Sequence, residues 1–268
     1  MGLLSALRLA CRSAGLLLIL VVLVPPQILV LAATRGPASM WLPMLIHRLA
    51  CRLLGLRVEL GGVPVADAGT LLVSNHLSYL DVLAIGGVVR ACFVAKLDVL
   101  HWPLLGPLAR LQHTVFVSRD PRRVGDVTAA LARELAAGRC LVLFPEGTTS
   151  DGSGVLAFKS SAFAVVANPL SGRVRVQPFT IVLLAVDGVA IAGGGDRDRY
   201  AYHGRMRLLP HLAAFMRGSG ARVRLQFHAP LAIVDGQGRK ELAAQAHACV
   251  LQGMQVRGQA SIAAGVEG

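Results

Sequence analysis

The sequence predicts an α/β fold with a mainly parallel central sheet flanked by helices, preceded by an N-terminal membrane-associated helical segment. Short apolar runs at 70–74 and 140–144 have the length of buried strands, and residues 126–137 form an amphipathic helical pattern between two such runs. This alternation of strand, helix and strand is typical of a parallel sheet. Residues 14–34 form an uncharged apolar stretch long enough to cross a bilayer, for which about 20 residues suffice.

The composition indicates a lipid surface as a partner. The 268 residues suit one α/β domain with an appendage, and 54% of them are hydrophobic, which is high for a freely soluble enzyme. The net charge of +12 requires an acidic partner, which is either nucleic acid or an anionic bilayer. Because the arginines are scattered and only 5% of the residues are aromatic, we expect no nucleic-acid binding and favour membrane lipids.

The cysteines predict neither a disulfide framework nor a metal site. The five are widely separated, odd in number and without a C-x-x-C spacing, which favours reduced thiols in a domain that faces the cytosol. No cluster of cysteine and histidine has the spacing of zinc ligands, so we expect no metal.

The amino-terminal stretch contains two adjacent prolines, Pro25 and Pro26. Two missing amide donors should break or sharply kink a helix, so we expect either a hairpin embedded in the membrane or a kinked span. A cleaved signal peptide is the alternative, since Ala32 and Ala33 lie near the end of the apolar run. The length of this run and the cysteines favour permanent attachment instead. The next stretch, residues 40–54, interleaves apolar and basic residues and suits the headgroup region, so residues 1–58 are predicted to be membrane-anchoring helices.

The remaining elements are predicted from periodicity and turn residues. The main domain is assigned to residues 59–252, and the Gly/Ala/Gln-rich residues 253–268 are predicted to be a flexible tail. Strands are expected at 57–60, 70–74, 91–95, 115–117, 140–144, 174–184 and 221–227, and helices at 75–86, 102–111, 126–137, 207–216 and 240–252.

Two short motifs follow predicted strands and carry candidate chemistry. In the first, His76 precedes Asp81 by five residues. Imidazole is a suitable general base near neutral pH, and a carboxylate on its other nitrogen would fix the tautomer. On one continuous helix these two side chains would diverge by about 140°, so they converge only if His76 lies at the strand-to-helix turn. The structural alternative is that His76 is a surface turn residue and Asp81 an ordinary charge at a helix start.

The second motif is Phe144-Pro-Glu-Gly-Thr148. It could simply end a strand, with proline and glycine making the turn. In the functional interpretation, Gly147 lets the backbone approach a ligand closely, and amides together with Thr148 meet an anionic headgroup or the reacting centre. Glu146 would position a hydroxyl or an amine, or order the loop.

Both motifs resemble the H-x4-D and F-P-E-G-T motifs of the glycerolipid and lysophospholipid acyltransferase family, of the 1-acyl-glycerol-3-phosphate acyltransferase type, and the resemblance spans about residues 71–184. It implies that His76 and Asp81 are catalytic and that Glu146, Gly147 and Thr148 bind the acceptor. Arg119 and Lys96 each end a strand in a way that resembles the family's acceptor site, where neighbouring parallel strands end.

The resemblance also implies the reaction. A fatty acyl group would pass from acyl-CoA or acyl carrier protein to the hydroxyl of a lyso-lipid, with 1-acyl-glycerol-3-phosphate as the first expectation. No cofactor is implied, because the thioester is already activated. The expected location is the inner (cytoplasmic) membrane, with the active site facing the cytoplasm.

One position departs from the family pattern. Many members that acylate lysophosphatidic acid have an arginine after the E-G-T triplet, which suits a phosphate, but this chain has Thr149. The sequence around Thr149 and the segment from Tyr200 to His211 look like relatives that acylate lyso-ornithine lipid. Lyso-ornithine lipid, or another lyso-lipid that is not a phosphatidate, is therefore the alternative acceptor.

Two other classes of function stay open at this point. A lipid hydrolase or transacylase could use the same His76–Asp81 pair, and a non-enzymatic membrane-binding protein could contain the pair for structural reasons only. The chain has no G-x-S-x-G motif, so a serine-hydrolase nucleophile elbow is not indicated.

Overall fold

The computed structural model describes residues 2–34, 36–66, 69–102, 105–118, 122, 124–168, 174–234 and 236–263. In these ranges the chain forms helices and strands, with short 3-10 helices between some of them. The elements are α1 (Leu3–Ala33), α2 (Trp41–Leu54), β1 (Leu56–Gly61), β2 (Thr70–Val73), α3 (Leu80–Gly86), β3 (Cys92–Lys96), α4 (Leu105–Leu111), β4 (Val115–Val117), α5 (Val124–Ala136), β5 (Leu141–Leu143), β6 (Arg175–Val186), β7 (Val189–Ala190), α6 (Leu208–Arg217), β8 (Ala221–Phe227) and α7 (Arg239–Ala263).

The strands of the described residues form one sheet in the order β1-β8-β6-β2-β5-β3-β4, with β7 paired to β6. The five strands from β6 to β4 are parallel, whereas β8 runs antiparallel to β6 and parallel to β1. The prediction of a mainly parallel sheet is confirmed. Because β2 and β5 are neighbours and parallel, the segments that follow them meet at one edge of the sheet, where ligands of open α/β sheets bind.

The core lies on both faces of this sheet. Leu71 and Val73 of β2 pack in the same cluster as α5 and α7, whereas Leu72 between them packs with α2, α3 and α6. All three side chains are fully buried. Successive side chains of a strand point to opposite faces, so helices on both sides explain why β2 is buried throughout rather than alternating between buried and exposed residues.

The expected break of the first helix at Pro25 and Pro26 is wrong, because helix α1 is continuous through both prolines. A hairpin turning there is therefore excluded, and of the two expected forms the kinked span is the one compatible with a continuous helix. The reason is that α1 is fastened to the domain on both sides of the prolines. Beyond them, the buried Gln27 side chain donates to the carbonyls of Ser39, at 2.9 Å, and Leu111, at 2.8 Å. These tertiary contacts substitute for the two backbone hydrogen bonds that proline removes.

Before the prolines, Arg12 fastens α1 to the ends of two other helices. Its guanidinium donates to the carbonyls of Leu53 near the end of α2, at 3.0 Å, and Met216 near the end of α6, at 3.0 Å. It also donates to the Gly218 carbonyl at 2.8 Å. The last carbonyls of a helix have no partner within the helix and carry partial negative charge, so a single cation satisfies two helix ends.

Three further boundaries differ from the prediction. The predicted domain limit after residue 58 falls inside β1, which belongs to the sheet. Helix α3 begins at Leu80 rather than at residue 75, because residues 75–79 form the turn described below. Residues 253–263, for which a flexible tail is predicted, continue α7 as helix. Gly253 itself packs so tightly that an added Cβ would lie 2.2 Å from the Thr180 hydroxyl on β6. Residues 264–268 lie outside the described residues.

The Arg12 contacts predict a loss of stability on truncation. We expect Arg12→Ala to destabilise the protein by about 2 kcal/mol, because several carbonyls lose a charged donor. The melting temperature in detergent should fall by roughly 4–8 °C for a chain of this size.

Arg8→Ala is the matched control, since it removes the same charge one turn earlier on α1 without removing those contacts. Equal losses in the two variants would contradict the assignment to the helix ends.

Candidate active site

The candidate site is centred on the His76 and Asp81 side chains. His76 follows β2, Asp81 lies in the first turn of α3, and the distance from His76 Nδ1 to Asp81 Oδ2 is 2.8 Å. Asp81 is fully buried, whereas 19% of the His76 side chain is exposed. The structure thus places His76 at the strand-to-helix turn, which is the arrangement that the spacing requires for the two side chains to converge.

The turn between them is built around the Asp81 carboxylate. The backbone amides of Leu77 and Ser78 donate to the same Oδ2 atom, at 2.7 and 2.9 Å. A carboxylate in the first turn of a helix can accept from the unpaired amides just before the helix start, so Asp81 caps α3 and closes the turn that precedes it. Since the carboxylate accepts a hydrogen bond from Nδ1, the neutral imidazole has its proton on Nδ1 and a lone pair on Nε2.

Asn75 fixes the position of this turn against the sheet. Its buried side chain donates to the Ile181 carbonyl at 3.0 Å and accepts from the Ile181 amide at 2.8 Å. The amide group therefore continues the pairing of β2 with β6 beyond the end of β2.

Phe144 fixes the plane of the imidazole. At the end of β5, its ring stacks on that of His76 with centroids 3.8 Å apart and an interplanar angle of 6°. Adjacent parallel strands therefore supply the base and the surface against which the base lies. The aromatic position of the second motif has a packing function that its sequence alone did not indicate.

The Glu146 carboxylate is buried and bonds to two separate backbone segments. It is 3% exposed, and its oxygens accept hydrogen bonds from the His76 amide at 3.0 Å and the Leu156 amide at 2.8 Å. Burial raises the pKa of Glu146 to about 7, although both amide contacts oppose the shift. With each oxygen bonded to a backbone amide, this carboxylate connects the two motifs.

The remainder of the second motif forms a turn beside His76. Gly147 has a φ of 68°, in the left-handed region that favours glycine, and its amide donates to the Phe144 carbonyl at 3.0 Å. Thr148 is exposed. The amide of Ser150 donates to the His76 carbonyl at 2.8 Å, so the loop is bonded to the backbone of the first motif. An added Cβ at Gly147 would lie 2.6 Å from the Lys159 ammonium, which places one cation at this turn.

The two basic candidates are less closely connected to the site. Lys96 is the last residue of β3 and is paired with Val117 of β4, at the same sheet edge as His76. In the described part of the chain, no hydrogen bond joins Lys96 to either motif. Arg119 lies outside the described residues.

A third segment contributes Tyr200, which the sequence analysis related to lyso-ornithine lipid acyltransferases but did not place in the site. Its hydroxyl donates to Asp81 Oδ1 at 2.7 Å across a separation of 119 residues. The available signal was the scarcity of tyrosine, because the chain has only 3 and two of them, Tyr200 and Tyr202, stand almost together. The third, Tyr79, lies between His76 and Asp81 in the sequence.

The raised pKa of Glu146 predicts a change of stability with pH. A proton bound more tightly in the folded state stabilises the fold below about pH 4.5, and this contribution is lost as the pH rises through about 7. Glu146→Gln cannot titrate, so its melting temperature relative to the parent protein should increase between these pH values.

Glu146→Gln also replaces one acceptor oxygen by an amide group, so at low pH it should melt below the parent. Melting curves at four pH values between 4.5 and 7.5 measure the difference. A difference that stays constant over that range would contradict the prediction.

Comparison with known proteins agrees with this geometry. The Acyltransferase family model matches residues 57–182. A lyso-ornithine lipid O-acyltransferase of Rhizobium meliloti (strain 1021) is 42% identical over 220 residues, which are 80% of this chain and 75% of that enzyme. A 1-acyl-sn-glycerol-3-phosphate acyltransferase of Neisseria gonorrhoeae is 36% identical over 112 residues, which are 41% of this chain and 44% of that enzyme.

The fold is also similar to a solved structure. The crystal structure of the 1-acyl-sn-glycerophosphate acyltransferase from Thermotoga maritima aligns with a TM-score of 0.63 and 21% identity, and covers 93% of this chain and 95% of that one. The F-P-E-G-T turn and the His76–Asp81 pair both lie in the region that the family model matches. The chain therefore belongs to the Acyltransferase family, which includes enzymes that acylate lyso-lipids.

Proposed function

We propose that this acyltransferase transfers a fatty acyl group from acyl-CoA or acyl carrier protein to the hydroxyl of a lyso-ornithine lipid. The main support for this reaction is the His76 imidazole, which is partly exposed and is bonded through Nδ1 to the buried Asp81 carboxylate. For the acceptor, support comes from the Rhizobium relative, which matches four fifths of the chain.

The geometry indicates how such a transfer proceeds. Nε2 of His76 takes the proton of the acceptor hydroxyl while the hydroxyl oxygen attacks the thioester carbonyl. Asp81 stabilises the imidazolium that forms. The carbon–sulfur bond then breaks, the acyl ester is complete, and the imidazolium returns its proton to the leaving thiolate. The acceptor oxygen is itself the nucleophile, so the scheme needs no acyl-enzyme, metal or cofactor.

The charges near the loop support a headgroup with both an amine and a carboxylate, such as ornithine. His203 Nε2 lies 3.0 Å from Asp198 Oδ1. The pKa of Asp151 is lowered, first by hydrogen bonds from Ser153 and then by the nearby His203 and Arg197. Side chains of both charge signs therefore lie around Asp151, three residues after Thr148. An arginine that would select a phosphate is absent at Thr149.

A membrane location follows from the exposed faces of α1 and α2. Helix α1 is long and apolar enough to cross a membrane, judged by length and composition, and only 6% of its most apolar window is buried. We propose attachment to the inner (cytoplasmic) membrane with the active site facing the cytoplasm. The exposed apolar side chains of the two helices are Leu3, Leu4, Leu7, Leu17, Leu18, Val21, Val22, Ile28, Leu29, Trp41 and Leu45.

1-Acyl-glycerol-3-phosphate, the first expectation from the sequence, is the second candidate acceptor. It is favoured by the Neisseria relative, whose name states that acceptor. Lys96, Arg119 and the Lys159 ammonium at the Gly147 turn are the cations proposed to meet such a phosphate. For either acceptor, Thr148 is proposed to contact the headgroup from its exposed position on the turn.

The proposed base predicts the first result. Purified detergent-solubilised protein is given one labelled acyl thioester and, in separate reactions, lyso-ornithine lipid and 1-acyl-glycerol-3-phosphate. We expect ester product in the parent reaction and a loss of at least about 100-fold in His76→Ala, since general base catalysis typically contributes a factor of this size or more.

His101→Ala is the control, because it removes an exposed histidine outside both motifs and should keep full activity. Product from His76→Ala at the parent rate would exclude His76 as the base. Release of free fatty acid at a rate independent of the acceptor would instead identify a hydrolase.

The acceptor is tested at Thr149. Thr149→Arg introduces the guanidinium that suits a phosphate, so kcat/KM for 1-acyl-glycerol-3-phosphate relative to lyso-ornithine lipid should increase by about tenfold, the size of one charge-assisted hydrogen bond. Thr149→Gln is a long polar control without the charge. An unchanged ratio in the arginine variant would refute the inference from this position.

A further inference from the structure

A segment outside the region matched by the family model completes the surroundings of the His76–Asp81 pair. Residues 196–211, here called the tyrosine segment, follow β7 and continue into the first turn of α6, whereas the family match ends at residue 182. Near its centre, the tyrosine segment forms two hydrogen bonds with the turn of the first motif. The Tyr200 hydroxyl donates to Asp81 Oδ1 at 2.7 Å, and the Tyr202 amide donates to the Leu77 carbonyl at 2.8 Å.

A third contact lies at the end of the segment. The Tyr79 hydroxyl is 2.9 Å from His211 Nδ1, and His211 Nε2 is 3.0 Å from the Ala201 carbonyl. A carbonyl only accepts, so Nε2 of His211 has the proton and Nδ1 accepts from the Tyr79 hydroxyl. Burial lowers the pKa of His211, which agrees with a neutral imidazole in this arrangement. These bonds hold the segment in one position relative to the turn.

The Tyr200 hydroxyl has a distinct place among the donors to Asp81. The other three donors, His76 Nδ1 and the amides of Leu77 and Ser78, all bond to Oδ2. Among the described residues, Tyr200 is the donor to Oδ1. The Tyr200 ring is fully buried and packs edge-on against Phe215, so the hydroxyl is presented to the carboxylate by a rigid support.

This arrangement has an electrostatic consequence for the imidazole. A hydrogen bond to Oδ1 draws negative charge of Asp81 away from Oδ2, the atom that faces His76. Without this bond, Oδ1 would be a buried acceptor with no donor, and the carboxylate would attract the imidazole proton more strongly. The imidazolium form of His76 would then persist to a higher pH, and less of the free base would be available for the reaction.

We propose that Tyr200 is a positioning residue that orients Asp81 and sets the basicity of His76 through it. The function of Tyr200 is exerted on the carboxylate and not on the substrate. This inference rests on the proposed function of His76 as general base. It assigns part of the active site to the tyrosine segment, which lies outside the region that the family model matches.

The test compares two variants, each of which loses one tyrosine hydroxyl group. Tyr200→Phe removes the donor to Asp81, whereas Tyr79→Phe removes the donor to His211 and leaves Asp81 untouched. We expect Tyr200→Phe to lower kcat by about tenfold with the KM for the acceptor within twofold of the parent. We also expect the acidic limb of its kcat–pH profile to move to higher pH, while that of Tyr79→Phe stays in place.

His76→Ala is measured in the same assay, and melting curves of all variants are recorded. An acidic limb that does not move in Tyr200→Phe, or that moves equally in Tyr79→Phe, overturns the positioning function while inactivity of His76→Ala still supports the proposed function. Activity retained by His76→Ala overturns the proposed function itself. A loss of kcat in Tyr200→Phe with an unmoved limb and a lowered melting temperature is a purely structural effect and also overturns the inference.

Discussion

The buried carboxylate of Asp81 is the group on which the rest of the active site depends. An ionised carboxylate without contact to water is costly unless several donors surround it, and here the donors come from the preceding turn, the imidazole and a distant tyrosine. Satisfying this one group determines where α3 can begin, which nitrogen of His76 holds the proton, and where residues 196–211 must pass. The backbone geometry and the tautomer of the base thus have the same cause.

A second constraint is the adjacency of β2 and β5. Since both strands are parallel and neighbouring, the two motifs that follow them come together at one edge of the sheet. The contacts that then form join the motifs to each other: the ring of Phe144 lies on His76, and Glu146 accepts from the His76 amide. The second motif therefore holds both the imidazole and the backbone of His76 in place, in addition to any contact with a headgroup.

Local patterns predicted most strands and helices, and they predicted the His76–Asp81 pair because its chemistry is encoded within six consecutive residues. The family is confirmed by the comparisons. What the sequence could not show are contacts between residues far apart in the chain. The bond of Tyr200 to Asp81 spans 119 residues, and the fastening of α1 by Arg12 depends on where α6 ends. The helix through Pro25 and Pro26 was mispredicted for the same reason, since local propensity omits the tertiary contacts that hold it.

The Arg12 contacts limit how α1, the proposed membrane anchor, can move relative to the domain. A helix joined to its domain by a flexible hinge would act as a tether and let the domain roll over the bilayer. Helix α1 is instead bonded near one end to the termini of α2 and α6 and near the other end to the Leu111 carbonyl. It has no such freedom to swing. At the proposed membrane location, the depth of α1 in the lipid sets the distance of His76 from the bilayer surface. The hydroxyl of the acceptor must therefore move out of the bilayer by that distance to reach the base.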